Sequence, residues 1–354
     1  MSQVSAARVV AGATVTGPAL VEFDGERIGT VHDYAGVPAF DWLVPGYVDL
    51  QVNGVGDIDV ASASGNDWEV LDARLAARGV TTWCPTLISA PLDRYSLRLA
   101  EIARAARRGG ARPHIAGAHL EGPFLGGAAG AHPREMLAAI DPAWLAALPP
   151  IVALITLAPE LDGALDAIEA LTHRSVLVAI GHTTATGSTV FEAADRGARL
   201  VTHLFNAMSG MHHRLPGVVG AALADDRLSC SLIGDGVHVD PIVLKVAVRA
   251  LGADRAVLVS DEVAYDGPPV DAARLTDGTL AGATVGLDAG VRTLVARAGV
   301  APEIAVGAAS TNPARLLGLD DRGTVAPGQR ADLVALDAAL DVVAVWIGGE
   351  QVRG

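Results

Sequence analysis

The chain has 354 residues, 51% of them hydrophobic, and a net charge of -14. Only Lys245 among its 26 basic residues is a lysine, and no basic stripe runs along the chain that could follow a nucleic-acid backbone or an anionic membrane. This composition supports a large buried core and argues against a disordered chain and a nucleic-acid partner.

Residues 1–44 carry short alternating segments, "RVVAGATV", "ALVEFDG" and "RIGTVHD", which predict strands joined by Gly or Asp turns. The N-terminus shows no basic region followed by an apolar stretch, and no apolar run reaches membrane-spanning length. Eight apolar, strand-like runs follow: "GYVDLQVNG", "TTWCPTLIS", "HIAGAHLEG", "PIVALITLAPE", "SVLVAIGHT", "ARLVTHLFN", "LSCSLIGDG" and "RAVLVSDEV". Helical patterns lie between them, for example at 65–79, 92–108, 162–172, 187–197 and 240–251. Near-continuous apolar strands alternating with helices are expected of a parallel sheet covered on both faces. The predicted architecture is α/β, a (β/α)8 TIM-type barrel over residues 45–321. The last thirty residues again read as strands, so 1–44 and 322–354 are expected to meet in a small β-sandwich domain. A doubly wound open sheet is the alternative, but no glycine-rich dinucleotide loop follows the first strand. Cys84 and Cys230 sit inside apolar runs and read as small buried hydrophobes, which suits a reducing, cytoplasmic location.

In "GYVDLQVNG", Asp49, Gln51 and Asn53 fall on every second residue, so an otherwise apolar strand aims three polar groups to one face. Other polar residues gather at the carboxyl ends of later runs: Glu121, His182, His203, His238 and Asp261. A barrel opens all those ends on one face. One carboxylate and two imidazoles, here Glu121, His182 and His203, can hold a catalytic zinc and leave a position for water. Asp261 could accept a proton from that water and pass it to a leaving group. Any one of these side chains alone would ordinarily be hydrogen-bonded structure. Four at the ends of different strands argue for a site. His32, His114 and His173 read as surface residues, and His212 and His213 fall in a loop.

The stretches "PGYVDLQVNG", "TTWCPTLI", "HLEGPFL", "GAH" (130–132), "LAPE", "GHTTAT", "THLFNAM", "RLPGVVGA", "DGVHVD", "LVSDEV", "GTLAG" and "NPARLLGL" together carry a resemblance. From residue 44 to 337 the chain resembles the N-acetylglucosamine-6-phosphate deacetylases of the amidohydrolase superfamily. The resemblance implies one divalent metal on Glu121, His182 and His203, zinc first, with iron, manganese or cobalt also suited. It implies Asp261 as general base and acid, and His132 as a donor that polarises the acetamide carbonyl. Substrate contacts would fall on Ala131, His132, Asn206, Ala207, Arg214, His238, Leu280, Ala281 and Gly282, with Asn206, Ala207 and Arg214 at the phosphate. Arg214 can, in relatives, reach a neighbouring subunit's site, which implies a homodimer. In the wider superfamily the first strand commonly ends in His-x-His around a second metal, so Gln51 and Asn53 would be vacated second-metal positions. The implied partner is a small amino-sugar phosphate.

Two departures stand out: the segment from Asp261 to "GTLAG" is shorter than in typical relatives, and Glu262 follows Asp261 where the family has a small residue. Rival readings are deacetylation of N-acetylgalactosamine 6-phosphate or an unphosphorylated sugar, and a non-catalytic sugar-phosphate-binding protein. Retention of Glu121, His182, His203 and Asp261 counts against the last.

Overall fold

A computed structural model describes residues 2–268, 270 and 272–354; Pro269 and Asp271, in the shortened segment after Asp261, lie outside them. Each of the eight apolar runs contains a strand of one parallel sheet: β1 (Tyr47–Val52), β2 (Val80–Leu87), β3 (Ala118–Glu121), β4 (Val152–Leu157), β5 (Leu177–Ile180), β6 (Leu200–Val201), β7 (Ser229–Ile233) and β8 (Ala256–Val259). They pair in chain order, from β1 on β2 to β7 on β8. The predicted helices are present: Asp67–Ala76, Tyr95–Ala106, Ala164–His173 and Gly187–Asp195 are shorter than expected, whereas Pro241–Arg255 runs past the expected end across a non-helical Gly252. The helix Gly217–Ala224 falls between the sixth and seventh strands, where the alternation places one, but outside the ranges given from the sequence. Its sequence, "GVVGAALA", is apolar all round and so lacks the amphipathic period by which a helix is read.

Both chain ends build a second, eight-stranded sheet. At its centre Phe40–Pro45 runs parallel to Ser2–Ala11 and antiparallel to Leu333–Leu336. Alternate residues divide its two faces: Leu43, Leu333, Ala335 and Trp346 join a core of their own with Val21 and Phe23, whereas Val44, Val334 and Val345 pack into the main core with the barrel. Only Gly46 separates this sheet from β1, and a Cβ there would lie 2.1 Å from Thr81 Oγ1. The chain crosses into the barrel at a point where no side chain fits.

The ring closes between β8 and β1 just past the end of β8. Asp261 N donates to Gln51 O at 3.0 Å and Asn53 N to Glu262 O at 2.8 Å. Deeper in the same seam, Asp49 Oδ1 accepts from Ser260 N at 3.2 Å and from Gln51 N at 3.3 Å. Asp49 is thus a buried clasp. Its carboxyl is pushed up to about 7, first by burial, with Ser260 and Gln51 acting against the rise. A raised carboxyl contributes stability that is present below the ordinary carboxylate range and is lost as pH rises through the folded value. Asp49→Asn keeps the acceptor and removes the titration. Between pH 6 and 8.5 the wild type should therefore lose about 1 kcal/mol relative to this variant, read from urea midpoints. A difference that stays constant with pH would show that Asp49 does not titrate in this range.

Candidate active site

The site lies at the carboxyl ends of the barrel strands. Glu121 ends β3 directly, whereas His182, His203 and Asp261 follow β5, β6 and β8 with left-handed backbone at φ of 50°, 32° and 49°. Phe205 and Ala207 in the "HLFNAM" loop share that geometry, at 82° and 49°. Non-glycine residues avoid this region, and such conformations concentrate where a loop must aim particular groups. Here the turn sends each side chain back over the mouth of the barrel. Gly130 of "GAH" is also left-handed, and a Cβ on it would lie 3.2 Å from the Ala207 Cβ.

Glu121, His182 and His203 crowd one point. Glu121 Oε1 lies 3.0 Å from His182 Nε2 and 2.9 Å from His203 Nε2, and the two imidazole nitrogens are 3.0 Å apart. All are buried. His182 Nδ1 sits 3.0 Å from the Ala129 carbonyl, an acceptor, so that nitrogen carries the proton and Nε2 presents a lone pair to the Glu121 carboxylate. Two acceptors facing each other at hydrogen-bond distance, with no proton between them, are the arrangement a cation satisfies. The donor set, one carboxylate oxygen and imidazole nitrogens, fits a divalent transition ion.

His132 could be taken as the third ligand instead of His203, since Glu121, His132 and His182 present ligand atoms within 4.8 Å of one another. Its tautomer argues otherwise. Ser89 N donates to His132 Nδ1 at 3.2 Å, and the Ser89 hydroxyl lies 2.8 Å from the same nitrogen. A backbone N–H can only donate, so Nδ1 is the acceptor and Nε2 bears the hydrogen. Nε2 lies 3.7 Å from the other Glu121 oxygen, Oε2, and reaches the cavity as a donor.

Gln51 and Asn53 turn their amide N–H groups onto the carboxylates. Gln51 Nε2 donates to Glu121 Oε1 and to Asp261 Oδ1, both at 2.9 Å, and Asn53 Nδ2 donates to Asp261 Oδ1 at 2.9 Å. Asp261 is raised, first by burial and then by the Glu121 charge, with His203 and Asn53 pulling it down. Glu262 faces away from this cluster and pairs with Arg78, so it does not share the base's surroundings.

A cavity of about 500 Å³ opens above the cluster. Ala131, His132, Asn206, Ala207, His238, Leu280, Ala281 and Gly282 all line it. Arg214 does not: it is exposed at the tip of the turn His212–Leu215, between Met211 and Leu215, which are 63% and 74% exposed. Three residues that sequence reading passed over also belong here. Asp235 takes the N–H groups of Val237 and His238 on one oxygen and His238 Nδ1 on the other, at 2.5 Å. Burial pushes its carboxyl up, but these bonds carry it below the ordinary value. His119, two residues before Glu121 and so on the same face, bonds Thr156 Oγ1 at 2.8 Å in a layer beneath the site. Burial lowers that imidazole to about 4. The third is Arg274, which lines the cavity from the shortened segment.

A profile of the amidohydrolase family matches residues 42–352. The chain belongs to that family. The amidohydrolase is 38% identical to N-acetylgalactosamine-6-phosphate deacetylase of Escherichia coli O157:H7, over 87% of each chain. It is also 38% identical to N-acetylglucosamine-6-phosphate deacetylase of Bos taurus, over 88% of this chain and 83% of the other. Among solved structures it resembles a point mutant of N-acetyl-D-glucosamine-6-phosphate deacetylase from Mycobacterium smegmatis in complex with N-acetyl-D-glucosamine-6-phosphate, with a TM-score of 0.92, 33% identity and 99% of each chain covered. The Thermotoga maritima N-acetylglucosamine-6-phosphate deacetylase gives a TM-score of 0.93 at 29% identity, with both chains fully covered. Membership of the amidohydrolases implies a divalent metal.

Proposed function

We propose that this amidohydrolase hydrolyses the acetamide of N-acetyl-D-glucosamine 6-phosphate, giving D-glucosamine 6-phosphate and acetate. The observation that carries this reading is the facing pair of unprotonated acceptors, Glu121 Oε1 and His182 Nε2, at the floor of a sugar-sized cavity beside a buried aspartate. The full-length likeness to sugar-phosphate deacetylases supports it.

Glu121, His182 and His203 would hold one divalent ion, most naturally zinc given the donor set, with iron, manganese and cobalt compatible. When bound, such an ion supplies Lewis acidity and lowers the pKa of a water within reach. Asp261, positioned by Gln51 and Asn53, takes the proton of the attacking water and returns it to the sugar nitrogen as the C–N bond breaks. His132 Nε2–H donates to the developing oxyanion. Asp235 fixes the His238 ring, which then presents Nε2 to the sugar. Asn206, Ala207, Ala131 and the stretch Leu280–Gly282 line the space the substrate would fill. The amide N–H groups of Gln51 and Asn53 occupy the carboxylates from the side where a second ion would bind, which supports one metal per subunit. Arg214, exposed and flanked by apolar residues, suits reaching the site of a second copy, and hence a homodimer. Cys84 and Cys230 are buried free thiols, which suits a reducing compartment, and we assign the enzyme to the cytoplasm. Among the described residues no helix is long and apolar enough to cross a membrane.

Acetate release from N-acetylglucosamine 6-phosphate should be readily measured with metal-replete protein and vanish after chelation. No release in either state would sink the proposal. The Escherichia coli relative favours a second reading, N-acetylgalactosamine 6-phosphate as substrate. Comparing kcat/KM for the two 4-epimers in the same assay separates them.

A further inference from the structure

Arg274 is the only arginine or lysine among the described residues that line the cavity, which otherwise presents the carboxylates of Asp59, Glu121 and Asp261. It ends the strand Ala272–Arg274, which pairs antiparallel with Leu280–Ala283, and its own register partner is the cavity residue Leu280. One guanidinium nitrogen, Nη1, donates to the Gly278 carbonyl across the hairpin turn at 2.9 Å. No carboxylate among the described residues pairs with it, in contrast to Arg78, whose charge is taken up by Glu262. Among the described residues nothing else takes its remaining N–H groups, which leaves them free for solvent or an anion.

The hairpin that carries Arg274 is tied to the proposed base. Ala283 N donates to Asp261 O, and Val263 N donates to Ala283 O, both at 3.0 Å. Gly282 makes this close approach possible: its φ is 150°, and a Cβ there would lie 2.4 Å from Val263 Cγ1 and 2.8 Å from Asp261 O. Arg274 is therefore held at a set place relative to the base. In a chain of net charge -14, an anionic substrate needs a local cation. A guanidinium offers paired donors to phosphate oxygens.

We infer that Arg274 binds the phosphate of the substrate from within the same chain, so that recognition of the anion does not depend on Arg214 alone. The assignment rests on the sugar-phosphate reading above. Its test uses metal-replete enzyme, N-acetylglucosamine 6-phosphate, unphosphorylated N-acetylglucosamine, and calorimetric binding of glucosamine 6-phosphate. Arg274→Ala should raise KM for the phosphorylated sugar at least tenfold with less than a threefold change in kcat. The ratio of kcat/KM between phosphorylated and plain sugar should fall by at least tenfold, and glucosamine 6-phosphate should bind at least tenfold more weakly. Arg274→Lys should recover part of each loss, because it keeps the charge but not the paired donors. Arg274 is exposed, so folding of both variants is checked by an unchanged melting temperature. A KM and a product affinity within twofold of wild type in Arg274→Ala would overturn the assignment. If the wild type turns over neither sugar, the deacetylase reading fails while the binding arm still decides Arg274. Should the wild type also bind no sugar phosphate, both ideas fall.

Discussion

Asp261→Asn should lower kcat for acetate release about 1,000-fold while leaving metal content and substrate affinity close to wild type. The substitution is nearly isosteric and keeps an oxygen to accept from Gln51 Nε2 and Asn53 Nδ2, so the seam between β1 and β8 should survive. What it removes is the ability to take a proton. The expected signature is a fall in kcat and kcat/KM together, the mark of an interaction made in the transition state rather than in the bound substrate. Steady-state acetate release, metal analysis and calorimetric binding on the same preparation read the three quantities. Retention of more than a tenth of wild-type kcat would remove Asp261 from its role as base.

Metal content is the second large effect. Wild-type protein should carry about one divalent ion per subunit, and Glu121→Gln should carry roughly a tenth of that or less, with activity at the level left by chelation. The reason is charge: Glu121 is the one carboxylate at the meeting point of His182 and His203, and without it a dication would be held by neutral imidazoles alone. Metal added back to chelated wild type should raise its melting temperature, and the same addition should leave the variant unmoved. An undiminished ion in Glu121→Gln would refute the ligand set. Two ions at full occupancy in the wild type, with Gln51 and Asn53 as ligands, would end the single-metal reading.

The row Asp49, Gln51 and Asn53 shows how much of this can be read from residue order. Period-two spacing already places the three on one face, and the structure gives them separate tasks: Asp49 clasps β8, Gln51 bridges Glu121 to Asp261, and Asn53 holds Asp261 alone. Arg214 shows the opposite. Its motif suggests a phosphate contact, yet within one chain it stands on the exposed turn His212–Leu215, outside the cavity that Asn206 and Ala207 of the same loop line. Arg274, in a stretch notable only for being short, lines that cavity.

Residue order was enough for the eight strands, their alternation with helices, and the polar residues at the carboxyl ends. These are local properties: an apolar run, a two-residue period and a turn signal need only neighbours in the chain. Its place at a strand end already groups His203 with Glu121 and His182; what only three dimensions show is that Ser89 reaches His132 across 43 residues and fixes its tautomer. The same holds for Glu262, which turns to Arg78, and for Arg274, which faces the cavity. Such outcomes depend on contacts made when β8 closes on β1, and residue order carries no direct record of them.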